Sequence, residues 1–169
     1  KDHKLQSFAG ISATRMNARF LSYFFEINPE RGIPHTTKEV EIYLYSKKQD
    51  IVFCGALEYH PNQTSDASAA QLASHFKTDF INLTNVSGLY NKNPLKHKDA
   101  KFIPKISWKD FSKMANAIPY KPGQHFVLDQ TASKIIEKNK VITYIIGKDM
   151  NQLDNLLNKR KFKGSIISE

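Results

Sequence analysis

Thr84-Asn-Val-Ser-Gly-Leu-Tyr90-Asn-Lys-Asn-Pro94, directly behind the apolar run Phe80–Leu83, is the stretch that decides the fold. A short apolar run that ends in a polar, glycine-turned loop reads as a buried strand and the loop that leaves its carboxyl end. The loop offers a Gly turn, an aromatic ring and a Pro-closed exit. Upstream, His60-Pro-Asn-Gln-Thr-Ser-Asp66-Ala-Ser-Ala-Ala70 opens a helix. It places hydroxyl and amide donors and one carboxylate at a helix N-terminus, where unpaired backbone N–H groups favour anions. In an open α/β sheet, ligands bind outside the carboxyl ends of the strands, which is where both segments fall. The pair predicts a phosphate site beside a nucleobase site.

Outward from these segments, the pattern alternates between strand and helix. Thr14 to Phe25 carries Met16, Phe20, Leu21, Phe24 and Phe25 at helical spacing, and Asn28 to Pro34 breaks it. Thr36 or Thr37 caps a second helix through Tyr45, with Glu39 inside the first turn. Asp50 to Cys54 reads as a buried strand, Asp66 to Phe76 as a helix rich in small residues, and Asp79 to Leu83 as the next strand. Asn91 to Ile106 is a loop or hairpin, Ser107 to Met114 a Ser-capped helix, and Asn116 to Gln124 a Pro/Gly loop. Phe126 to Asn139 is amphipathic, Val141 to Ile146 a strand, Met150 to Leu157 a helix, and Ser165 to Ile167 a last strand. This alternation predicts an α/β fold with a mainly parallel sheet and helices on both faces, spanning residues 1–169 as a single domain.

The bulk numbers narrow the function. A 169-residue chain that is 40% hydrophobic can supply a core. Its 25 Lys and Arg against 16 Asp and Glu give a net charge of +9, which suits polyanionic ligands. The lysines are scattered, as on a solvated surface that weakly steers anions, rather than gathered into a nucleic-acid-binding face. One cysteine, Cys54, has no internal disulfide partner, which points to a reducing compartment and a small buried hydrophobe. No apolar stretch is long enough to span a bilayer. The opening Lys1-Asp-His-Lys holds neither an initiator Met nor a strand, and reads as truncated.

Asp66 has two readings: a cap for the first helical N–H groups, or a carboxylate that organises cationic groups around a transferring phosphoryl group. Asn62, Gln63, Thr64 and Ser65 can all donate to a phosphate or a pyrimidine edge, and Tyr90 can stack on a base. His35, His60, His75, His97 and His125 lie without partners at metal-binding spacing. Neither Gly-x4-Gly-Lys-Ser/Thr nor Gly-x-Gly-x-x-Gly is present, so the source of phosphate-gripping groups is not evident.

Taken together, these motifs resemble the amino-acid kinase superfamily and, within it, archaeal-type uridylate kinases. Gly10-Ile-Ser-Ala-Thr-Arg-Met-Asn-Ala resembles that family's Gly-Ile-x-x-Thr-Arg-x-Asn-Ala helix, implied to pack at a dimer interface. His60-Pro-Asn-Gln-Thr-Ser-Asp-Ala is similar to His-Pro-Gly-x-Thr-Thr-Asp-Ala, and the Thr84 loop to Thr-Asn-Val-Asp-Gly-Val-Tyr-x-x-Asp-Pro. Asp99-Ala-Lys, the Val127–Lys138 segment and the closing Gly164-Ser-Ile-Ile also fit.

The resemblance implies a three-layer α/β/α fold and transfer of the ATP γ-phosphate to UMP. It implies Mg²⁺ carried with ATP rather than in a protein cage, a cytoplasmic homo-oligomer built as a dimer-based hexamer, and neither nucleic acid nor membrane as partner. By position, Ser7, Tyr59, His60, Pro61, Asn62, Gln63, Thr64 and Ser65 would contact UMP. Thr84, Asn85, Tyr90 and Asn93 would hold ATP, and Asp66 would be the catalytic carboxylate.

Four positions depart from the family pattern. Ser7 stands for an Asp that contacts UMP, Asn62 for the Gly of His-Pro-Gly, and Ser87 and Asn93 for two acids of the ATP loop. The glycine-rich first strand-loop and its Lys/Arg phosphate ligands would lie upstream of Lys1. A catalytically inactive homologue that binds nucleotide or serves assembly is the alternative reading.

Overall fold

A computed structural model of the chain describes residues 3–27, 32–46, 49–61, 63–117 and 127–169. Asn62, residues 28–31 of the first break and residues 118–126 of the Pro/Gly loop lie outside the described residues. The chain divides into two compact units, Lys1–Ser68 and Ala69–Glu169.

The first unit begins with helix α1 (His3–Phe24). It starts well before the apolar periodicity at Thr14, because Lys4, Leu5, Gln6, Ala9 and Ala13 are good helix formers and only Gly10 opposes them. Ala18 and Ser22 lie on its buried side, while Leu5, Met16, Phe20, Tyr23 and Phe24 form an exposed stripe.

The expected strand at Asp50–Cys54 does not form. A strand exists only within a ladder, and the described part of this unit offers no strand to pair with. The chain instead runs beside α1. Thr14 Oγ1 accepts the Ala56 N–H (2.9 Å), and the Arg15 guanidinium donates to the carbonyls of Ala56 (3.3 Å) and Leu57 (2.6 Å). Gly55 permits the approach, since a Cβ there would fall 2.5 Å from the Arg15 nitrogen. Cys54 is half-buried rather than enclosed, and its burial still raises the thiol pKa.

Thr36, of the two threonines, caps α2 (Thr37–Glu41). Its Oγ1 accepts the Glu39 N–H (3.1 Å), which satisfies one orphan donor of the helix, and the Glu39 carboxylate reaches back to accept the His35 N–H (2.6 Å) just before the cap. The helix runs on through a π-helical turn, Ile42–Ser46, close to the expected end at Tyr45. Helix α3 (Ser65–Phe76) crosses from the first unit into the second.

The second unit holds β1 (Phe80–Leu83), β2 (Leu89–Tyr90), β3 (Phe102–Ile103), β4 (Lys105–Ser107), α4 (Trp108–Asn116), α5 (Gln130–Asn139), β5 (Thr143–Ile146), α6 (Met150–Leu157) and β6 (Gly164–Ser168). Four strands form a sheet in the order β1-β5-β6-β4, and β2 pairs with β3 as a separate antiparallel ladder. The pairs β1·β5 and β4·β6 are parallel, as strand–helix alternation predicts. β6 runs antiparallel to β5, with Ile146 opposite Gly164, because residues 158–163 carry the chain back to the end of β5 that it left.

Asn91–Ile106 resolves into a hairpin loop plus β4, a strand too short to leave a periodicity. Ser107 caps α4 as expected. The α5 helix starts only at Gln130, where the Asp129 carboxylate accepts the N–H groups of Thr131 and Ala132.

The core gathers Ala70 and Ala73 of α3 with Leu89, Phe111, Leu128, Ala132, Ile136, Ile145 and Ile167. Small residues on α3 let its backbone come close to this cluster, and period-2 alternation sends Ile145 and Ile167 to the same side. Tyr144, on the opposite face of β5, packs its ring against Phe162.

Candidate functional site

The first candidate site is the N-terminus of α3. Thr64 Oγ1 accepts the Ala67 N–H (3.2 Å) and the Thr64 carbonyl accepts the Ser68 N–H (3.1 Å). The cap therefore belongs to Thr64, and the half-buried Asp66 carboxylate stands in the first turn. A carboxylate at this position gains from the helix dipole. Before the cap, the Gln63 N–H bonds the His60 carbonyl (3.2 Å) and the Gln63 amide donates to Ser68 Oγ (3.3 Å), so Gln63 is tied both to His60 and to its own helix.

His60, Pro61 and Ser65 are exposed, and Tyr59, Gln63 and Thr64 are half-buried. Tyr59 packs on Phe8 with ring centroids 5.2 Å apart, which brings the α1 turn carrying Ser7 to Tyr59. Asn62 lies outside the described residues.

The second candidate site is a cleft of about 430 Å³ in the second unit, within the size range of small-molecule sites. Asn85, Val86 and Ser87 form one wall, and Tyr90, Pro94 and Leu95 another. Gly147, Lys148 and Asp149, with Gln152 and Lys163, complete it. Asn85–Ser87 and Gly147–Asp149 directly follow the carboxyl ends of β1 and β5. The Thr84 N–H bonds the Ile146 carbonyl (2.9 Å), so the two strand ends stay in register up to the cleft. Gly147 allows the loops to touch, because a Cβ there would lie 3.1 Å from Ser87 Cα and the Val86 carbonyl oxygen.

Of the residues expected to hold ATP, Asn85 and Tyr90 line this cleft and Thr84 and Asn93 stand next to it in sequence. Tyr90 is braced edge-on by Phe102 at 5.3 Å. The Asn93 side-chain oxygen accepts the Leu95 N–H (2.9 Å) and so shapes the turn that bears Pro94 and Leu95.

Lys148 and Lys163 are the cationic groups that sequence reading missed. Their signals were weak: one follows a glycine at a strand end, and the other closes a lysine-rich surface run. Only the antiparallel return of β6 brings Lys163 to the cleft, where its N–H bonds Gln152 Oε1 (2.7 Å). Asp149 caps α6 by accepting the Asn151 N–H (3.0 Å) and the Gln152 amide (2.9 Å), hydrogen bonds that hold its carboxyl pKa below the usual range.

Among the described residues no three His, Cys, Asp or Glu side chains come together as a metal cage. No helix among them is long and apolar enough to cross a membrane.

A polar cleft at strand ends on a mainly parallel sheet with flanking helices defines a ligand-binding α/β protein. The sequence model of the amino acid kinase family matches residues 2–147, and the chain belongs to that family. It is 35% identical over 160 residues to the uridylate kinase of Methanococcus aeolicus, covering 94% of this chain and 69% of that protein. It is also 35% identical over 159 residues to the uridylate kinase of Methanocaldococcus jannaschii, covering 94% and 68%. The crystal structure of uridylate kinase from Archaeoglobus fulgidus superposes with a TM-score of 0.80 at 29% identity, over 99% of this chain and 74% of that one. UMP kinase from Ureaplasma parvum, at 21% identity and a TM-score of 0.73, shares the fold.

Proposed function

We propose that the chain is the catalytic body of a uridylate kinase, converting ATP and UMP to ADP and UDP. The observation that carries this reading is the cleft holding Asn85 and Tyr90 at the strand ends, in a chain similar to uridylate kinases over most of its length. An oxygen of the UMP phosphate attacks the ATP γ-phosphorus, the bond to the β,γ-bridging oxygen breaks, and ADP leaves with that electron pair. Such a transfer is promoted by positioning and charge stabilisation.

On the acceptor side, Tyr59 through Ser65 and Ser7 hold UMP, with the α3 N-terminus favouring its phosphate. Asp66 organises the transfer centre. On the donor side, Tyr90 stacks on the base, Thr84, Asn85 and Asn93 bind the remainder of the adenosine, and Lys148 and Lys163 attract the anionic nucleotide into the cleft. Mg²⁺ would come with ATP. There it would neutralise charge on the phosphates.

The family match runs across the division between the two units, which supports their forming one kinase domain. The exposed α1 stripe supports a homodimer as the building block of a hexamer, and one free thiol agrees with the cytoplasm.

The test is a coupled ADP-release assay with UMP, CMP and AMP as alternative acceptors. Selective turnover of UMP supports the reading. Equal rates with all three, or no turnover alongside ATP binding alone, would sink it.

A further inference from the structure

One buried hydroxyl ties the donor-site ladder to the main sheet. Ser165 on β6 is fully buried (0% exposed). Its Oγ donates to the Ile103 carbonyl on β3 at 2.6 Å and accepts the Leu89 N–H on β2 at 2.8 Å. Both partners belong to the two-stranded ladder, which is separate from the four-stranded sheet containing β6. Leu89 points into the core and Tyr90, the next residue, lines the cleft.

The approach is so close that a Cβ on Gly88 would lie 2.6 Å from Ser165 Oγ and 2.8 Å from Phe102 Cε2. Gly88 also has φ of +155°, a conformation open to glycine. The turn that delivers Ser87 and Tyr90 to the cleft is thus fixed against one side chain on a strand outside it. Without that hydroxyl, a buried N–H and a partly buried carbonyl both lose a partner, and the turn has to shift or admit water to satisfy them.

We infer that Ser165 is a positioning residue for the donor side of the active site, setting where Tyr90 and Ser87 stand without itself touching nucleotide. This rests on the cleft being the ATP site. The control is Ser133, an equally buried serine (0% exposed) whose Oγ donates to Gln130 within α5 (2.8 Å), away from the cleft. S133A removes an equally buried hydroxyl whose bond stays within one helix and so controls for loss of a buried serine, while the comparison of ATP with UMP affinity in S165A separates positioning from general loss of stability.

The experiment measures ATP and UMP affinity by calorimetry, and hydrogen exchange at the Leu89 amide, in wild type, S165A and S133A. The expected result for S165A is ATP binding weakened about tenfold, UMP affinity unchanged and Leu89 protection lowered. S133A should change neither affinity nor that amide. Equal weakening of both ligands in S165A, or an unchanged Leu89 amide, overturns the inference. If wild type binds no ATP, the proposed function fails instead; Leu89 protection and the Tyr90 ring resonances then decide whether Ser165 fixes the turn.

Discussion

At the residue scale, Thr64 makes a structural bond at the α3 N-terminus and Asp66 has the proposed role at the transfer centre. Thr64 makes the capping bond to Ala67, so T64A should cost about 1 kcal/mol in urea unfolding, the usual worth of an N-cap. D66N keeps the shape and leaves the cap in place. It should lower kcat about a hundredfold or more, as loss of an electrostatic group at a transfer centre does, while the unfolding midpoint stays close to wild type. Unchanged turnover in D66N would remove Asp66 from the mechanism. Lys148 and Lys163 stand in the cleft wall on flexible stems in contact with solvent. K148A and K163A should therefore each raise the KM for ATP by only about three- to tenfold, with kcat little changed. The increase should shrink in high salt, because exposed charges are screened. A KM insensitive to both substitutions would mean that the nucleotide's phosphates lie elsewhere.

At the element scale, the segment after Cys54 shows how a helix can take the place of a sheet. Arg15 and Thr14 supply the hydrogen bonds that a neighbouring strand would otherwise give to Ala56 and Leu57. R15A leaves two carbonyls without their donor and should destabilise the protein by about 1–3 kcal/mol in denaturant titration. A value near zero would show water replacing the guanidinium at no cost.

The hairpin loop between β2 and β3 has its own pH dependence. The Lys92 ammonium bonds the Asp99 carboxylate and is the main reason that its pKa is lowered. A depressed carboxyl pKa contributes stability above the group's ordinary value, and that stability is lost as pH falls through the lowered one. Exchange at the Lys101 amide, which bonds Asn91 Oδ1 in the same loop, should therefore speed up under acid conditions beyond its intrinsic pH trend. K92A should abolish that dependence. Because Asp99 is exposed, the effect should be small and fade in salt.

At the scale of the whole molecule, α1 carries an exposed apolar stripe among the described residues. Leu5, Met16, Phe20 and Phe24 are between 66% and 76% exposed along one stripe, on a helix whose other side holds residues 55–57. Continuous exposed apolar surface of this kind marks an association face. On the proposed homo-oligomer, a double substitution, M16D/F20D, should give smaller species in sedimentation velocity, without loss of the monomer's helical circular dichroism. An unchanged sedimentation coefficient would place the dimer contact elsewhere. The net charge of +9 gives anionic substrates a favourable long-range field, so association with ATP should slow as ionic strength rises.

Local sequence rules were enough for most of the elements and for the loop after β1 that lines the cleft. Apolar runs, cap residues and glycine turns sufficed for β1, β5, α4 and α6 and for the loop that leaves β1, because each depends on neighbours a few residues away. Between Thr36 and Thr37 the structure chose the cap, and the His60 segment follows no strand. The linked motifs carried the family as well. Tertiary structure decided what depends on distant partners. Asp50–Cys54 has strand composition but no ladder, and β6 reverses against β5 because of the path of residues 158–163. Lys163 reaches the cleft and Ser165 reaches Leu89 only through that reversal. Residues so far apart in sequence leave no periodic signature, since what joins them is the packing of the sheet.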